Sequence, residues 1–185
     1  MQNPAGERVP VKHNSVRRVL VAMGTNMPHG PLSGPVLLAA AAAEIARLPV
    51  TVLTRSNIWE TAPWPPSAQA HYFNAVIALN WPSDAPDDMF NQLRAIEKQF
   101  GRERRERWGP RTLDLDLLDV GGETGVFDDI TLPHPRLAER AFVLAPLAEA
   151  APEWRHPITG AGIQGLLESL PKGQAVRRWG PFPPL

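Results

Sequence analysis

Residues 111–118 read RTLDLDLL, and leucine alternates with aspartate through the middle of this stretch. Alternate side chains of a β-strand lie on the same face, so the stretch predicts a strand whose leucines face a core. Asp114 and Asp116 then share the opposite face, about 7 Å apart along the strand. A hard divalent cation with phosphate oxygens is the natural occupant beside two such carboxylates. A bare pair of this kind is otherwise typical of the solvated face of an edge strand.

A basic loop leads into this strand and makes the cation interpretation the stronger one. Arginine occupies five of the ten positions 102–111, opposed only by Glu103 and Glu106. Beside a carboxylate pair, arginines would neutralise the oxygens of a phosphoryl group during its transfer. Trp108 lies in the same loop and could close over a flat ligand. We therefore expect residues 102–110 to form a mobile lid that orders when both substrates are bound.

The chain as a whole predicts the element order β-α-β-β-α-β. Short apolar or β-branched runs predict four strands, at residues 19–23, 50–59, 72–80 and 112–120. Helical periodicity and terminal prolines predict two helices, at 35–48 and 86–100. This order predicts an α+β, ferredoxin-like sheet with these helices on one face. Additional short C-terminal helices are expected at 142–150 and 163–170, and an edge strand at 176–179.

The composition fits one globular domain and gives little support for macromolecular partners. The chain has 185 residues, with 19 Lys+Arg against 19 Asp+Glu, so its global charge indicates neither nucleic acid nor a membrane. It has no cysteine, which excludes disulfides and thiolate chemistry. We expect residues 1–16 to be a flexible extension and residues 17–185 a single catalytic domain. A cytoplasmic monomer is expected.

Residues outside the strand and its loop could bind a flat heterocycle. The segment 133–142 brings a histidine, two arginines and an aromatic residue close together in sequence. Phe142 could stack on a heterocycle, and Asn74 could bind its hydrogen-bonding edge. His134 alone is more often a structural hydrogen-bonding residue than a catalytic one.

Residues 107–118, RWGPRTLDLDLL, resemble the signature of the hydroxymethyldihydropterin pyrophosphokinases. Further landmarks of that family follow in the expected order: Gly24-Thr-Asn26, Thr61-Ala-Pro63, Tyr72-Phe-Asn74, Glu97 with Gly101-Arg-Glu-Arg104, Leu132-Pro-His134 and Arg140-Ala-Phe142. The resemblance covers residues 17–180. The glycine-rich phosphate loop of P-loop kinases is absent from the sequence, which also agrees with this family.

The resemblance implies a reaction and a set of site residues. The reaction is Mg²⁺-dependent transfer of pyrophosphate from ATP to 6-hydroxymethyl-7,8-dihydropterin in folate biosynthesis, with AMP leaving. The implied catalytic residues are Arg102, Arg111, Asp114 and Asp116, and the two aspartates would hold two magnesium ions. The implied ATP contacts are Glu97, Arg104, Leu117, His134 and Arg140. The implied pterin pocket consists of Thr61, Trp64, Tyr72, Asn74, Trp108 and Phe142.

The chain also departs from the family pattern. Ala62 and Trp64 reshape the turn above the pterin, which leaves a modified pterin open as the substrate. Arg94 replaces a glutamine that commonly contacts ATP, and Asp129 and Pro135 also differ from the usual residues.

Two other functions stay open at this point. A metal-dependent nucleotidyl- or glycosyltransferase would use the same two aspartates but needs a larger α/β domain. A ferredoxin-like RNA-binding module would use the arginine loop, and would present aromatic side chains on an open sheet face.

Overall fold

The computed structural model describes residues 16–63, 68–82, 85–102 and 111–184. The strands within these ranges are β1 (Arg17–Thr25), β2 (Thr51–Arg55), β3 (Ile58–Thr61), β4 (Tyr72–Trp81), β5 (Asp114–Val120), β6 (Gly125–Phe127), β7 (Ile130–Leu132) and β8 (Val176–Gly180). The α-helices are α1 (Gly34–Arg47), α2 (Pro86–Gln99), α3 (Ala141–Ala150) and α4 (Ile163–Glu168). Among the described helices, none combines the length and apolar character needed to cross a bilayer.

Six of the strands form one antiparallel sheet in the order β5-β1-β4-β3-β8, with β2 also paired to β4. Strand β1 therefore lies between β5 and β4. This arrangement is that of a ferredoxin-like fold, so the predicted fold class is confirmed. Most predicted element boundaries differ from the observed ones by one or two residues.

The single strand predicted at 50–59 is two strands, because the chain leaves the ladder at Ser56. The Ser56 hydroxyl accepts the Val76 backbone N–H at 2.9 Å, and Asn57 donates its backbone N–H to Glu149 at 2.7 Å. Side chains thus satisfy backbone groups that a continuous strand would pair with its neighbour. The break separates β2 from β3, which carries Thr61 at its end.

The sheet is covered on both faces. Along β1, Val19 and Val21 pack in a core with residues of α1 and α2, whereas Leu20 packs in a second core with residues of α3 and α4. A strand that is buried on both faces has a continuous apolar sequence, as residues 19–23 do. The short C-terminal helices expected from the sequence therefore form a third layer, on the face opposite α1 and α2.

The hairpin of β6 and β7 is absent from the sequence prediction. Its strands have three residues each, and two of the three β6 residues are exposed, so the apolar alternation is too short to detect. Ile130 and Leu132 nevertheless pack in the core with α1 and α2. The hairpin leads the chain from the end of β5 to His134, whose backbone N–H donates to Leu118 at 2.9 Å.

Candidate active site

Three strands bring Asp114, Gly24 and Asn74 into one row across the sheet. Gly24 on β1 pairs with Asp114 on β5 and with Asn74 on β4. Directly paired residues point to the same face. A Cβ atom at position 24 would lie 3.1 Å from Asn74 Oδ1 and 3.9 Å from Asp114 Cβ. Glycine therefore leaves a gap in the sheet surface between a carboxylate and a carboxamide.

Asp114 is paired with two arginines. Arg102 Nη1 donates to one carboxylate oxygen and Arg111 Nη1 donates to the other. All three side chains are at most 30% exposed, so these charge-assisted hydrogen bonds are only partly screened by water. Two of the arginines predicted to neutralise phosphate oxygens, Arg102 and Arg111, thus converge on the first aspartate.

Asp116 has a different environment, although it lies only two residues further along β5. Its Oδ2 atom is 3.7 Å from Arg140 Nη1 and 4.0 Å from His134 Nε2. Burial and the negative charge of Asp114 raise the pKa of Asp116 to about 6. The negative charge of Asp116 is therefore less well compensated by neighbouring cations than the charge of Asp114 is.

His134 faces Asp116 as a neutral hydrogen-bond donor. Burial and the nearby Arg140 lower the pKa of His134 to about 4, so the ring is uncharged at pH 7. The His134 Nδ1 atom accepts the Arg136 backbone N–H at 3.2 Å, which places the ring proton on Nε2. His134 is therefore suited to donating a hydrogen bond on the aspartate face.

Two residues predicted to contact ATP, Glu97 and Leu117, have buried side chains, and their contact with ATP stays a prediction. Glu97 is 5% exposed, and its Oε1 atom accepts the Leu115 backbone N–H at 2.8 Å and a hydrogen bond from Arg102. Burial raises the pKa of Glu97 to about 7. Leu117 is 4% exposed and packs in the core with α1 and α2, because it alternates with Asp116 along β5. Glu97 is thus linked to the aspartate face through Arg102, and the Leu117 side chain points away from that face.

A cavity of about 210 Å³ lies beside the Asn74 end of this row, since the Asn74 partner Thr61 lines it. Thr61, Gln69 and Phe142 contribute to its wall. Asn74 Nδ2 donates to Thr61 Oγ1 at 2.9 Å, and both residues are buried. The Tyr72 hydroxyl donates to Gln69 Oε1 at 3.0 Å. The described residues that were predicted to bind a heterocycle therefore surround one cavity or contact its wall.

Asn26 connects the arginines to this cavity, a role that the sequence prediction missed. Asn26 Oδ1 accepts the Arg111 backbone N–H at 2.8 Å, and Asn26 Nδ2 donates to Gln69 Oε1 at 3.2 Å. The Asn26 backbone N–H also donates to the Arg111 carbonyl at 3.1 Å. The available signal was a polar residue directly after a buried strand, since such residues often lie at functional edges.

The structure brings the described charged site residues together on one face. They are Arg102, Arg111, Asp114, Asp116, His134 and Arg140. Trp64, Arg104 and Trp108, which were also predicted to be site residues, lie outside the described residues. The same holds for residues 103–110 of the predicted lid.

Comparison with known proteins identifies the family. A family model described as 7,8-dihydro-6-hydroxymethylpterin-pyrophosphokinase (HPPK) matches residues 20–152. The chain belongs to the HPPK family. A Synechocystis protein named 2-amino-4-hydroxy-6-hydroxymethyldihydropteridine pyrophosphokinase is 41% identical over 155 residues, which cover 82% of this chain and 75% of that protein. The Pseudomonas aeruginosa protein of the same name is 39% identical over 157 residues, or 84% of this chain and 93% of that protein.

Solved structures agree with the fold of this HPPK chain. Plasmodium falciparum HPPK-DHPS, wild type with STZ-DHP, superposes with a TM-score of 0.67 at 12% identity. The match covers 85% of this chain and 44% of the Plasmodium chain, so this HPPK spans less than half of that protein. The S436F/A437G/A613T triple mutant gives a TM-score of 0.65. At this identity the likeness shows the fold alone.

Two positions at which this HPPK departs from the family pattern contact each other. Arg94 Nη1 lies 3.3 Å from Asp129 Oδ2, and the Arg94 guanidinium also lies over the Phe90 ring. Both charged side chains are exposed, so the pair contributes on the order of 0–1 kcal/mol to stability. The two replacements are thus complementary in charge, and they connect α2 to the turn between β6 and β7.

Proposed function

We propose that this protein is a 2-amino-4-hydroxy-6-hydroxymethyldihydropteridine pyrophosphokinase of folate biosynthesis. It would transfer the terminal pyrophosphoryl group of ATP to the hydroxymethyl oxygen of 6-hydroxymethyl-7,8-dihydropterin, with AMP as the leaving group. The observation that supports this most directly is the row of Asp114, Gly24 and Asn74. In this row Asp114, which two arginines bond, shares a sheet face with Asn74. The Asn74 partner Thr61 forms part of the wall of a cavity that Phe142 also lines.

Asp114 and Asp116 are the residues that would hold magnesium, and we propose two ions. No three His, Cys, Asp or Glu side chains within the described ranges are grouped to hold a metal by themselves. Magnesium commonly takes one or two protein carboxylates and completes its shell with water and substrate phosphates, so the donor set fits an ion that binds together with ATP. Bound magnesium would neutralise negative charge on the phosphates.

The surrounding side chains would promote transfer by positioning and by charge stabilisation. Arg102 and Arg111, from the two ends of one ten-residue stretch, lie beside the aspartates together with Arg140. Guanidinium groups in this position stabilise charge that develops on phosphoryl oxygens as the bond to AMP breaks and the bond to the pterin oxygen forms. His134 would add a hydrogen bond from Nε2. We propose ATP contacts for His134, Arg140 and Arg104, the last from sequence alone.

The pterin would bind in the cavity that adjoins Asn74. The Asn74 carboxamide and the Thr61 hydroxyl, already bonded to each other, offer donors and acceptors to the edge of a pterin ring. Phe142 offers an aromatic face for stacking, and Tyr72 lies next to the cavity through Gln69. Trp64 and Trp108 remain predicted contacts. A modified pterin also remains a candidate substrate.

The RNA-binding alternative is disfavoured because helices cover both faces of the sheet. Helices α3 and α4 pack on the face that an RNA-binding module of this topology would leave open for bases. The exposed part of that face carries Asp114 and Asp116, which would repel phosphate in the absence of a cation. The nucleotidyl- or glycosyltransferase alternative remains distinguishable by its products. We propose that the protein acts as a cytoplasmic monomer on small molecules, without nucleic-acid or membrane partners.

The nucleotide product tests the proposed function. The protein is incubated with Mg²⁺, ATP and 6-hydroxymethyl-7,8-dihydropterin, and the nucleotides are separated by chromatography. AMP is expected only when the pterin is present, in a one-to-one ratio with a pterin product that carries two phosphoryl groups. Formation of ADP would indicate an ordinary kinase, and release of free pyrophosphate with a nucleotide adduct would indicate a nucleotidyltransferase. Either result would contradict the proposal.

Gly24→Ala is expected to weaken pterin binding about tenfold, because losing a hydrogen bond between the pterin and a displaced Asn74 carboxamide would cost on the order of 1 kcal/mol. The added methyl group would lie 3.1 Å from Asn74 Oδ1 and displace the carboxamide from Thr61. Calorimetric titration with the pterin alcohol and a non-hydrolysable ATP analogue measures the effect. Gly165→Ala is the matched control, since nothing lies within 4 Å of its Cβ position. Equal pterin affinity in both variants would show that the gap at Gly24 is not used.

A further inference from the structure

Gln174 binds both peptide groups that flank Arg140. The Gln174 Oε1 atom accepts the Ala141 backbone N–H at 2.9 Å, and Gln174 Nε2 donates to the Glu139 carbonyl at 2.8 Å. The Glu139 carbonyl belongs to the peptide before Arg140, and the Ala141 N–H belongs to the peptide after it. One carboxamide therefore fixes the backbone on both sides of a single residue.

The residues held in this way serve both proposed substrate sites. Arg140 has an extended backbone (φ −120°, ψ 110°), and its guanidinium lies 3.7 Å from Asp116 and 5.5 Å from the Phe142 ring centroid. Phe142 contributes to the wall of the cavity that also contains Thr61. The orientation of one backbone segment thus determines the position of the Arg140 guanidinium on the nucleotide side and of the Phe142 ring on the pterin side.

The side chain of the N-cap residue does not perform this task at the start of α3. Arg140 is the N-cap residue, and its side chain makes no capping hydrogen bond. The first backbone N–H groups of a helix need partners from outside the helix. Gln174 supplies one of them from a segment more than thirty residues later in the chain.

The segment that carries Gln174 is itself tied to the cavity. Val176 on β8 pairs with Thr61 on β3, and Gln174 contributes to the cavity wall beside Phe142. The carboxamide therefore joins the start of α3 to the strand that carries Thr61. This connection fixes two walls of the cavity relative to each other.

We propose that Gln174 is a positioning residue for the transfer reaction, which holds Arg140 and Phe142 where the nucleotide and pterin sites meet. The inference deepens the proposed function and rests on it. Gln174 does not itself need to touch the reacting atoms, since it acts through the backbone of residues 139–141.

Gln174→Met tests this role, because methionine keeps the length of the side chain but can form neither hydrogen bond. Loss of two hydrogen bonds should lower kcat/KM for the pterin about tenfold. It should also accelerate hydrogen exchange of the Ala141 amide in the ligand-free protein. Gln174→Glu, which keeps only the acceptor for Ala141, should protect that amide better than methionine does. Lys172→Met, an exposed replacement in the same segment, should change neither measurement.

A double-mutant cycle separates positioning from general stabilisation. If Gln174 acts largely through Arg140, then Gln174→Met should reduce kcat/KM much less in an Arg140→Ala background than in the wild type. A full tenfold loss in both backgrounds would overturn the proposal, as would unchanged Ala141 exchange or unchanged kcat/KM in Gln174→Met. The exchange measurement needs no turnover. Failure of the proposed function would instead appear as absence of pterin-dependent AMP release by the wild-type protein.

Discussion

Asp116→Asn is expected to lower turnover by about 10³-fold, because a metal-holding carboxylate supplies several kcal/mol to transfer. The same replacement is expected to stabilise the ligand-free protein at neutral pH. From the sequence alone, either aspartate should be replaceable without a change in stability, since a like-charged pair does not stabilise a fold. The structure separates the two aspartates, because only Asp114 is bonded to two arginines.

The sign of the Asp116 effect follows from its raised pKa. The folded protein holds the Asp116 proton to about pH 6, whereas the unfolded chain releases it near the ordinary aspartate pKa of 3.8. The free energy of unfolding therefore falls as pH rises between these values, and this loss persists above pH 6. Asparagine has no proton to release. Since a third of the Asp116 side chain is exposed, we expect a gain of only about 1 kcal/mol at pH 7.5.

Asp114→Asn should also abolish turnover but should reduce the free energy of unfolding by about 2 kcal/mol, since two partly buried arginines lose their carboxylate. Urea denaturation of both variants in EDTA, at pH 4 and pH 7.5, measures the contrast. The stabilisation by Asp116→Asn should disappear at pH 4. Equal stability of the two variants, or near-wild-type turnover in either, would contradict the assignment.

Arg111→Ala is expected to lower kcat by about 10²-fold, as removal of a group that stabilises transition-state charge commonly does. We expect its effect on kcat to exceed its effect on ATP affinity, because phosphoryl charge is best placed during transfer. Arg102→Ala should lower kcat similarly and should also reduce the free energy of unfolding by about 2 kcal/mol, because the buried Glu97 loses its cation.

Glu97→Gln identifies the origin of that stability loss. Combined with Arg102→Ala, it should restore most of the free energy of unfolding but none of the turnover, since glutamine can still accept the Leu115 N–H without charge. Arg47→Ala removes an exposed arginine paired with Glu44 and should change neither quantity appreciably. Steady-state kinetics with varied ATP and urea denaturation measure both effects. Unchanged kcat with weakened ATP binding would assign Arg102 and Arg111 to ground-state binding only.

The central elements of the fold could be predicted because their patterns are local. The apolar run at 19–23 indicates a strand buried on both faces, and the alternation at 113–117 separates a core face from an aspartate face. The division of residues 50–59 into two strands could not be predicted, because it depends on the Val76 and Glu149 partners of Ser56 and Asn57. These partners lie 20 and 92 residues away in sequence.

Some residues of the candidate site could likewise be predicted from a local pattern, whereas others depend on contacts between distant segments. The two aspartates, Arg102 and Arg111 lie within 15 residues of one another and form a recognisable pattern. The roles of Asn26 and Gln174 arise only when distant segments meet, and the position of Asn26 after a buried strand indicates a functional edge without indicating its partners. The resemblance implies that Glu97 belongs to the ATP side, whereas its burial depends on how α2 packs against β5.

The double ion pair at Asp114 has a consequence for ligand selectivity. Arg102 and Arg111 already share a carboxylate, so any incoming anion must compete with an internal one for the same guanidinium groups. Displacing Asp114 would leave its charge uncompensated in a partly buried position, which penalises simple anions such as inorganic phosphate or sulfate. A polyphosphate that arrives with its own cations avoids this penalty, because the displaced carboxylate then has a new counterion. The resting site thereby favours metal-bound polyphosphates over free inorganic phosphate and sulfate.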